Sequence, residues 1–466
     1  MKISNLKKII FAALFLAIFF ITCKEEEDSG GNNYAIVSLS AQGVPTTKLI
    51  FTVNDDKFTL TADDIKINAA FSVIKGVISQ IGAMTYELSI RSGGTGSIKA
   101  GLDPYRGFTG WNAKTATVNA DWRFSVSGNS ELTIKGYSLS SFPSDEIPLE
   151  IAGLPVTAIG DSAFIRKELT KVIIPYDEKF TGIKIIGDSA FAYNKLEEIN
   201  IPDSVITIGV TSFACNELSK VTINDNVTFI GYGAFEYNQL TEITIPKKIT
   251  DIGNLTFAYN KLKEIDIPDG VTIIGNDAFT DNKLTCVTIP SSVTSIGNGA
   301  FGNNKLTDIK LDELEKIEYL SGFNNNELTE VEIPTTVTSA SIGSSAFAYN
   351  RLTSIKIPSD VKTIGSNAFA HNVLENVEIS NTVTDIGYRA FAYNKLSKII
   401  IPDKVRNIEI QAFTDNPLTE ITIGENVTLG SSAFGNGFEH FYYVENNRKK
   451  GTYTLSGGKW NYIPIP

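Results

Sequence analysis

The sequence predicts a mainly β chain: a solenoid of about 13 coils with a 22-residue period, preceded by a small β-sandwich. Three observations predict it. Phe recurs at 164, 191, 213, 235, 257, 279, 301, 323, 347, 369, 391, 413 and 434, and most steps are 22 residues, with exceptions of 27, 24 and 21. Between these Phe residues lie short apolar/polar alternations of strand type that end at Pro or another turn former. Finally, 42% apolar residues, 37 Gly and only 2 Met in 466 residues describe many short strands joined by tight turns.

The first element, residues 1–23, is read as an export signal. Lys2, Lys7 and Lys8 precede an apolar run from Ile9 to Ile21, too short to span a bilayer of about 30 Å but suited to a signal h-region. Phe20-Ile21-Thr22-Cys23 resembles a bacterial lipobox. That resemblance implies a diacylglycerol on Cys23 and a lipid anchor in the cell envelope. Phe20 and Thr22 depart from the Leu-like and small residues usual there; the alternative is a plain secretory peptide cut elsewhere. Residues 24–33, opening Lys24-Glu25-Glu26-Glu27-Asp28, are too charged and flexible for a core and read as a linker.

Residues 34–120 read as the sandwich. Seven strands are expected, at Ala35 to Leu39, Lys48 to Val53, Ile65 to Ile67, Phe71 to Ile78, Thr85 to Ile90, Ser97 to Ala100 and Ala116 to Val118. Leu60-Thr61-Ala62-Asp63-Asp64-Ile65 resembles bacterial immunoglobulin-like surface modules, which commonly act as stalks. A carbohydrate-binding sandwich is the alternative, with Tyr105, Trp111 and Trp122 as stacking candidates. Asn54-Asp55-Asp56 and Asp63-Asp64 are read as turn chemistry in preference to a calcium site.

Residues 121–158 are expected to cap the solenoid, 159–437 to form it, and 438–466 to close it with aromatic, strand-like sequence turning at Gly451 and Gly457-Gly458. One coil shows the pattern. Leu240, Ile243 and Ile245 point inward from a strand whose Glu242 and Thr244 point out. Pro246, lacking a ladder donor, ends that strand, and its replacements in other coils (Asn224, Asp312, Ser380, Gly424) are turn formers. Ile249, Ile252 and Phe257 return to the core. An Asn follows Phe by three residues at 194, 216, 238, 260, 282, 304, 326, 350, 372, 394 and 416, where a buried amide can satisfy backbone groups of adjacent coils. The end coils carry Lys167 and Gly437 instead.

The unit Leu-x-x-Ile-x-Ile-Pro-x-x-Val-x-x-Ile-Gly-x-x-Ala-Phe-x-x-Asn, with the lead-in Ala152-Gly153-Leu154-Pro155-Val156-Thr157-Ala158-Ile159-Gly160, is similar to the repeat of BspA-like leucine-rich repeat surface proteins. The resemblance covers about Trp122 to Pro466. It implies a leucine-rich-repeat-type solenoid on the cell surface or outer membrane, and adhesion or binding to extracellular proteins or glycans of the matrix or of other cells. It brings no catalytic residues.

The remaining chemistry is sparse. A net charge of -11 gives no basic footprint for nucleic acid. Cys215 and Cys286 stand three coils apart, some 14 Å at a strand spacing of about 4.8 Å, too far for a disulfide. His371 occupies the slot two after Phe that Tyr193, Tyr237, Tyr259, Tyr349 and Tyr393 fill, a column expected to pack coil on coil; His440 lies among cap aromatics. Neither has the setting of a base, and no zinc spacing, phosphate loop or nucleophile elbow occurs, so no cofactor, metal or catalytic residue is expected. The outward strand positions give the candidate binding surface: Glu242, Thr244, Glu264, Asp266, Asp308, Lys310, Glu330, Glu332, Lys356 and Glu378. A solvated sheet face is the plainer reading of any one of them, and an envelope protein without a host ligand is the alternative for the whole. The places where the period breaks, at Tyr176 to Gly182, at Lys310 to Phe323 and in the caps, are where a specific partner is most expected.

Overall fold

The computed structural model describes residues from 131 onward except 138–145, 152–153, 176–181, 312–313, 315–316, 336–340 and 466, and, before that, the backbone of eight strands between residues 36 and 126. The signal and linker, the two acidic turns, Tyr105 and Trp111 lie outside the described residues, as does all but the last residue of the insertion expected at Tyr176 to Gly182. The chain divides into two units, Met1–Phe164 with Val172–Ala190, and Ile165–Lys171 with Phe191–Pro466.

In the first unit, strands occur at all seven positions expected of the N-terminal module. Ile36–Gln42, Lys48–Val53, Thr85–Ser92 and Val73–Gly82 form an antiparallel sheet in that order; Ile65–Ala69, Gly96–Leu102 and Ala113–Val118 form a second. Farther on, Leu132–Tyr137 pairs antiparallel with Trp122–Val126 on one side and parallel with Leu154–Ile159 on the other, and Leu154–Ile159 pairs parallel with Ile185–Ile186. Hairpin pairing thus converts to coil-on-coil pairing across one strand. Leu132, Ile134, Ile147, Val156, Ile159 and Phe164 are buried beneath it, with the Tyr137 and Phe164 rings 6.1 Å apart.

The second unit is a β-solenoid of about 12 turns. Twelve Phe rings, from Phe191 to Phe434, stack in one column with centroids 5.0 to 5.8 Å apart and planes within 14° of parallel. The count of about 13 coils took in Phe164, which belongs to the first unit. Two-residue strands from Asp251–Ile252 to Thr428–Leu429 make a nine-stranded parallel sheet on one side of the column. In several coils the preceding turn is set by the Pro slot. Carbonyls of Pro246, Pro268, Pro290 and Pro402 accept from the N–H three residues on, and Asn224 and Ser380 do the same in their coils.

The longer strands lie on another face, in parallel pairs: Glu198–Ile201 with Lys220–Ile223, Cys286–Thr288 with Asp308–Lys310, Ser354–Lys356 with Asn376–Glu378, and Lys398–Ile400 with Glu420–Ile423. Leu240 and Ile245 are buried as expected, but Ile243 is partly exposed. Its coil falls where the ladder is interrupted, as does the coil of Val331, also partly exposed; in paired coils Ile199, Ile309 and Ile421 are buried. Pairing is not the sole determinant, since Val377 is also partly exposed in a paired strand and Ile265 is buried in a coil with only an isolated bridge.

Each Asn of the recurring slot is buried and joins its own turn to the preceding coil. Asn216 Nδ2 donates to the Phe213 carbonyl and to that of Phe191 one coil back, while its Oδ1 accepts from the Leu196 N–H. The pattern repeats through Asn416. These amides occupy backbone groups that would otherwise be buried without partners.

The C-terminal end differs in part from the expected strand-like sequence. Phe438–His440 is a helical turn continued by a wider one, Phe441–Glu445, because Phe438 and Tyr442, four residues apart, both face the core. The hairpin follows as expected: Gly451–Ser456 pairs with Glu420–Ile423 and with Lys459–Pro464, turning at Gly457 and Gly458, both at positive φ. The last coil has no successor to take its backbone groups. Tyrosine hydroxyls stand in: Tyr442 Oη accepts from the Val427 N–H and donates to the Gly424 carbonyl, and Tyr443 Oη accepts from the Leu429 N–H.

Candidate interaction surface

All ten residues of the candidate surface are exposed. Parallel pairing sets several in register: Asp266, Thr288 and Lys310 stand on successive rungs, Asp308 lies beside Cys286, and Lys356 beside Glu378, their charged groups 3.9 Å apart. Glu242 and Thr244, and Glu330 and Glu332, fall in the two interrupted coils. These ten do not converge on a cleft. They form a broad face of mixed charge whose exposed ion pair contributes no more than about 1 kcal/mol.

A second column, two residues after Phe, has a geometry that composition did not announce. Every member from Arg166 to Asn436 has φ between 51° and 59°, the left-handed region. Asp281, Asn303, Asn325, Asp415 and Asn436 belong to the types that tolerate it. The others are aromatic, with the exceptions of Arg166 and Cys215, and stack across coils. Tyr237 lies on Tyr259, and His371 lies between Tyr349 and Tyr393, each centroid separation being 4.2 Å. The Arg166 guanidinium caps the Tyr193 ring at 4.8 Å. About half of Tyr193, Tyr237 and Tyr349 remains exposed. His371 is thus a variant of the tyrosine slot, and His440 is exposed on the C-terminal helical turn.

Titration along this column follows its packing. Burial lowers the His371 pKa, the Arg389 charge lowers it further, and Asp415 opposes both. Burial pushes the Cys215 thiol up, Glu236 adding to this and a hydrogen bond with Tyr193 opposing it. Asp277 is raised by burial and by its neighbour Asp281. Cys215 and Cys286 are free thiols, one partly buried and one exposed. Among the described residues no group of three or more His, Cys, Asp or Glu side chains is placed to hold a metal ion, and no helix is long and apolar enough to cross a membrane.

A parallel coil ladder around a Phe column, tied by an Asn ladder and presenting columns of exposed side chains, defines a leucine-rich repeat solenoid. The chain belongs to the BspA type leucine rich repeat family, whose model matches residues 148–263, 250–341 and 340–456. Proteins of this type are typically bacterial cell-surface proteins, and leucine-rich repeat arrays are generally non-enzymatic scaffolds. No curated protein matches the chain. Among solved structures it is similar to a leucine rich cell surface protein of Faecalibacterium prausnitzii, at 24% identity over 68% of this chain and 92% of that one, with a TM-score of 0.46. The pneumococcal vaccine antigen PcpA is similar at 18% identity over 67% and 84%, TM-score 0.35. A leucine-rich repeat protein of Bacteroides ovatus is similar at 18% over 72% and 98%, TM-score 0.31.

Proposed function

We propose that this chain is a lipid-anchored surface protein that binds macromolecules of a host or of neighbouring cells, and that it is not an enzyme. The observation that carries the reading is the repeated presentation of exposed, mixed-charge side chains, Glu242 through Glu378, on stacked coils, with no metal-holding group of three or more His, Cys, Asp or Glu among the described residues. Binding is multipoint and non-covalent, spread over many weak contacts. Cys23 carries the lipid, and an immunoglobulin-like sandwich at residues 34–120 serves as the spacer between anchor and array.

Protease shaving of intact cells tests the reading. Cleavage of the array in whole cells is expected; full protection until the envelope is permeabilised would replace the adhesin reading with that of an internal envelope protein. Labelled fatty acid should enter the native chain and not Cys23→Ala. A pull-down of matrix proteins and cell-surface glycans on the full chain then identifies the class of partner.

A further inference from the structure

The position four residues after each Phe forms a third exposed column, and its charges are not evenly spread. Within the second unit it reads Glu168, Lys195, Glu217, Gln239, Lys261, Lys283, Lys305, Glu327, Arg351, Val373, Lys395 and Pro417. Backbone bonds fix its register coil by coil: the N–H groups of Lys261, Lys283 and Lys305 donate to the carbonyls of Leu240, Leu262 and Leu284 at 2.8 to 2.9 Å. Neighbouring rungs of opposite sign pair at two places. Lys195 meets Glu168 at 3.4 Å, and Arg351 meets Glu327 at 3.0 Å.

Between those two pairs stand three consecutive lysines, all exposed, none with a carboxylate within 4 Å among the described residues. Adjacent rungs of a parallel ladder are about 4.8 Å apart, and like charges so placed repel. The chain as a whole carries a net charge of -11, so basic side chains are its scarcer kind, yet three are lined up here without an ion pair, Glu327 on the rung beyond Lys305 being engaged by Arg351. A row of unpaired cations along the array matches a linear molecule with repeated negative charge.

The flanking column says what kind of polymer. Beside these lysines run Tyr237, Tyr259, Asp281, Asn303 and Asn325. The Tyr237 and Tyr259 rings stack on each other and so offer phenol hydroxyls and ring edges, with little free face for a nucleobase. Asn303 donates to Asp281 at 3.0 Å and keeps its carbonyl as an acceptor. Hydroxyls, amides and one aromatic stack beside a cation row, the single flanking carboxylate of Asp281 being held by the Asn303 amide, are the complement of a hydroxylated, acidic chain.

We propose that Lys261, Lys283 and Lys305, with Tyr237 and Tyr259, bind an acidic polysaccharide bearing carboxylate or sulfate groups. The proposal rests on the reading of the array as an interaction scaffold but assigns a partner to a column distinct from the outward strand face.

The test is binding of the purified full chain to alginate and to dextran sulfate, with neutral dextran, phosphatidylglycerol vesicles and single-stranded DNA as comparisons. Binding to at least one acidic polysaccharide, in preference to the other three, is expected, and the two acidic arms separate carboxylate from sulfate. The triple variant Lys261→Gln/Lys283→Gln/Lys305→Gln should bind at least about tenfold more weakly and lose about two of the charges read from the salt slope. The triple Lys247→Gln/Lys362→Gln/Lys404→Gln, equal in charge but on exposed lysines elsewhere, should bind as the native chain does. Tyr237→Asn/Tyr259→Asn, which installs the residue that neighbouring coils carry, should weaken binding severalfold. Failure of the native chain to bind either acidic polysaccharide, equal losses in the two lysine triples, or tighter binding to vesicles or DNA would overturn the proposal. Native affinity in the tyrosine double would do so as well, since charge alone would then account for binding. A chain protected from shaving yet positive here would sink the surface reading alone; a shaved chain that binds neither polysaccharide would sink this one alone.

Discussion

Asn238 Nδ2 donates to the carbonyl of Phe213, one coil earlier, at 3.0 Å. The same amide donates to Phe235 and accepts from the Leu218 N–H, so one buried side chain satisfies backbone groups in two consecutive coils. Asn238→Ala leaves those groups unpartnered, each at a cost of about 1 to 3 kcal/mol. The expected loss is at least about 3 kcal/mol, seen in urea unfolding as an earlier, broader or split transition, since coils couple only to neighbours. A single transition with an unchanged midpoint would show that the ladder contributes little.

Ser212 is the opposite case. It occupies the slot just before Phe, filled by Ala190, Ala234, Ala278, Ala300 and Ala346 elsewhere, is fully buried, and its hydroxyl is the one buried side-chain polar atom without a partner among the described residues. Ser212→Ala should raise stability by about 1 kcal/mol or more, because it removes an unpaired hydroxyl and leaves the space filled as its neighbours fill it. A drop in melting temperature would reveal a partner for that hydroxyl in solution.

For His371 the sign follows from its lowered folded-state pKa. The unfolded chain binds the proton more readily, so stability associated with this residue is complete above about pH 6.5 and declines as pH falls through that value toward the folded pKa. The raised carboxyls of Glu236 and Asp277 act in the opposite direction as pH falls, so the contribution must be read by difference. His371→Asn, placing a residue suited to the left-handed slot, should flatten the decline between pH 7.5 and 5. An identical pH profile in native and variant chains would refute this.

At the C-terminal cap, the Tyr442 hydroxyl is pushed up to about 12 by burial and closes the last coil. Tyr442→Phe should lower stability by about 1 to 2 kcal/mol, and amide exchange at Val427 should accelerate by more than that at Val293 in mid-array. Equal acceleration at both amides would mean that the cap is not local.

Much of the architecture was legible because one pattern is repeated many times. A Pro or its turn-forming substitutes marked the strand end, and the Asn slot announced a buried polar ladder because no other buried position is so invariably polar. Other features were hidden for identifiable reasons. The left-handed slot is obscured at Tyr237, Tyr349 and His371 because ring stacking there accompanies a conformation that Asn303 and Asp281 would have signalled alone. Ile243 has the same residue pattern as its buried counterparts, so its partial exposure is a tertiary property that the pattern does not carry. The helical turn at Phe438 is too short to show a period. The three unpaired lysines were visible as letters but meaningless until the ladder placed them side by side.

Between Phe323 and Phe347 the spacing is 24 residues instead of 22, yet the rings stack at 5.7 Å and Asn350 still reaches the Phe323 carbonyl at 2.9 Å. Register is therefore kept by rungs, not by residue number: two extra residues between the rings leave the column undisturbed. Such an array can lengthen by whole turns, or carry an altered segment at one turn, without retuning any other. Variation under selection then has somewhere to go that stability does not police.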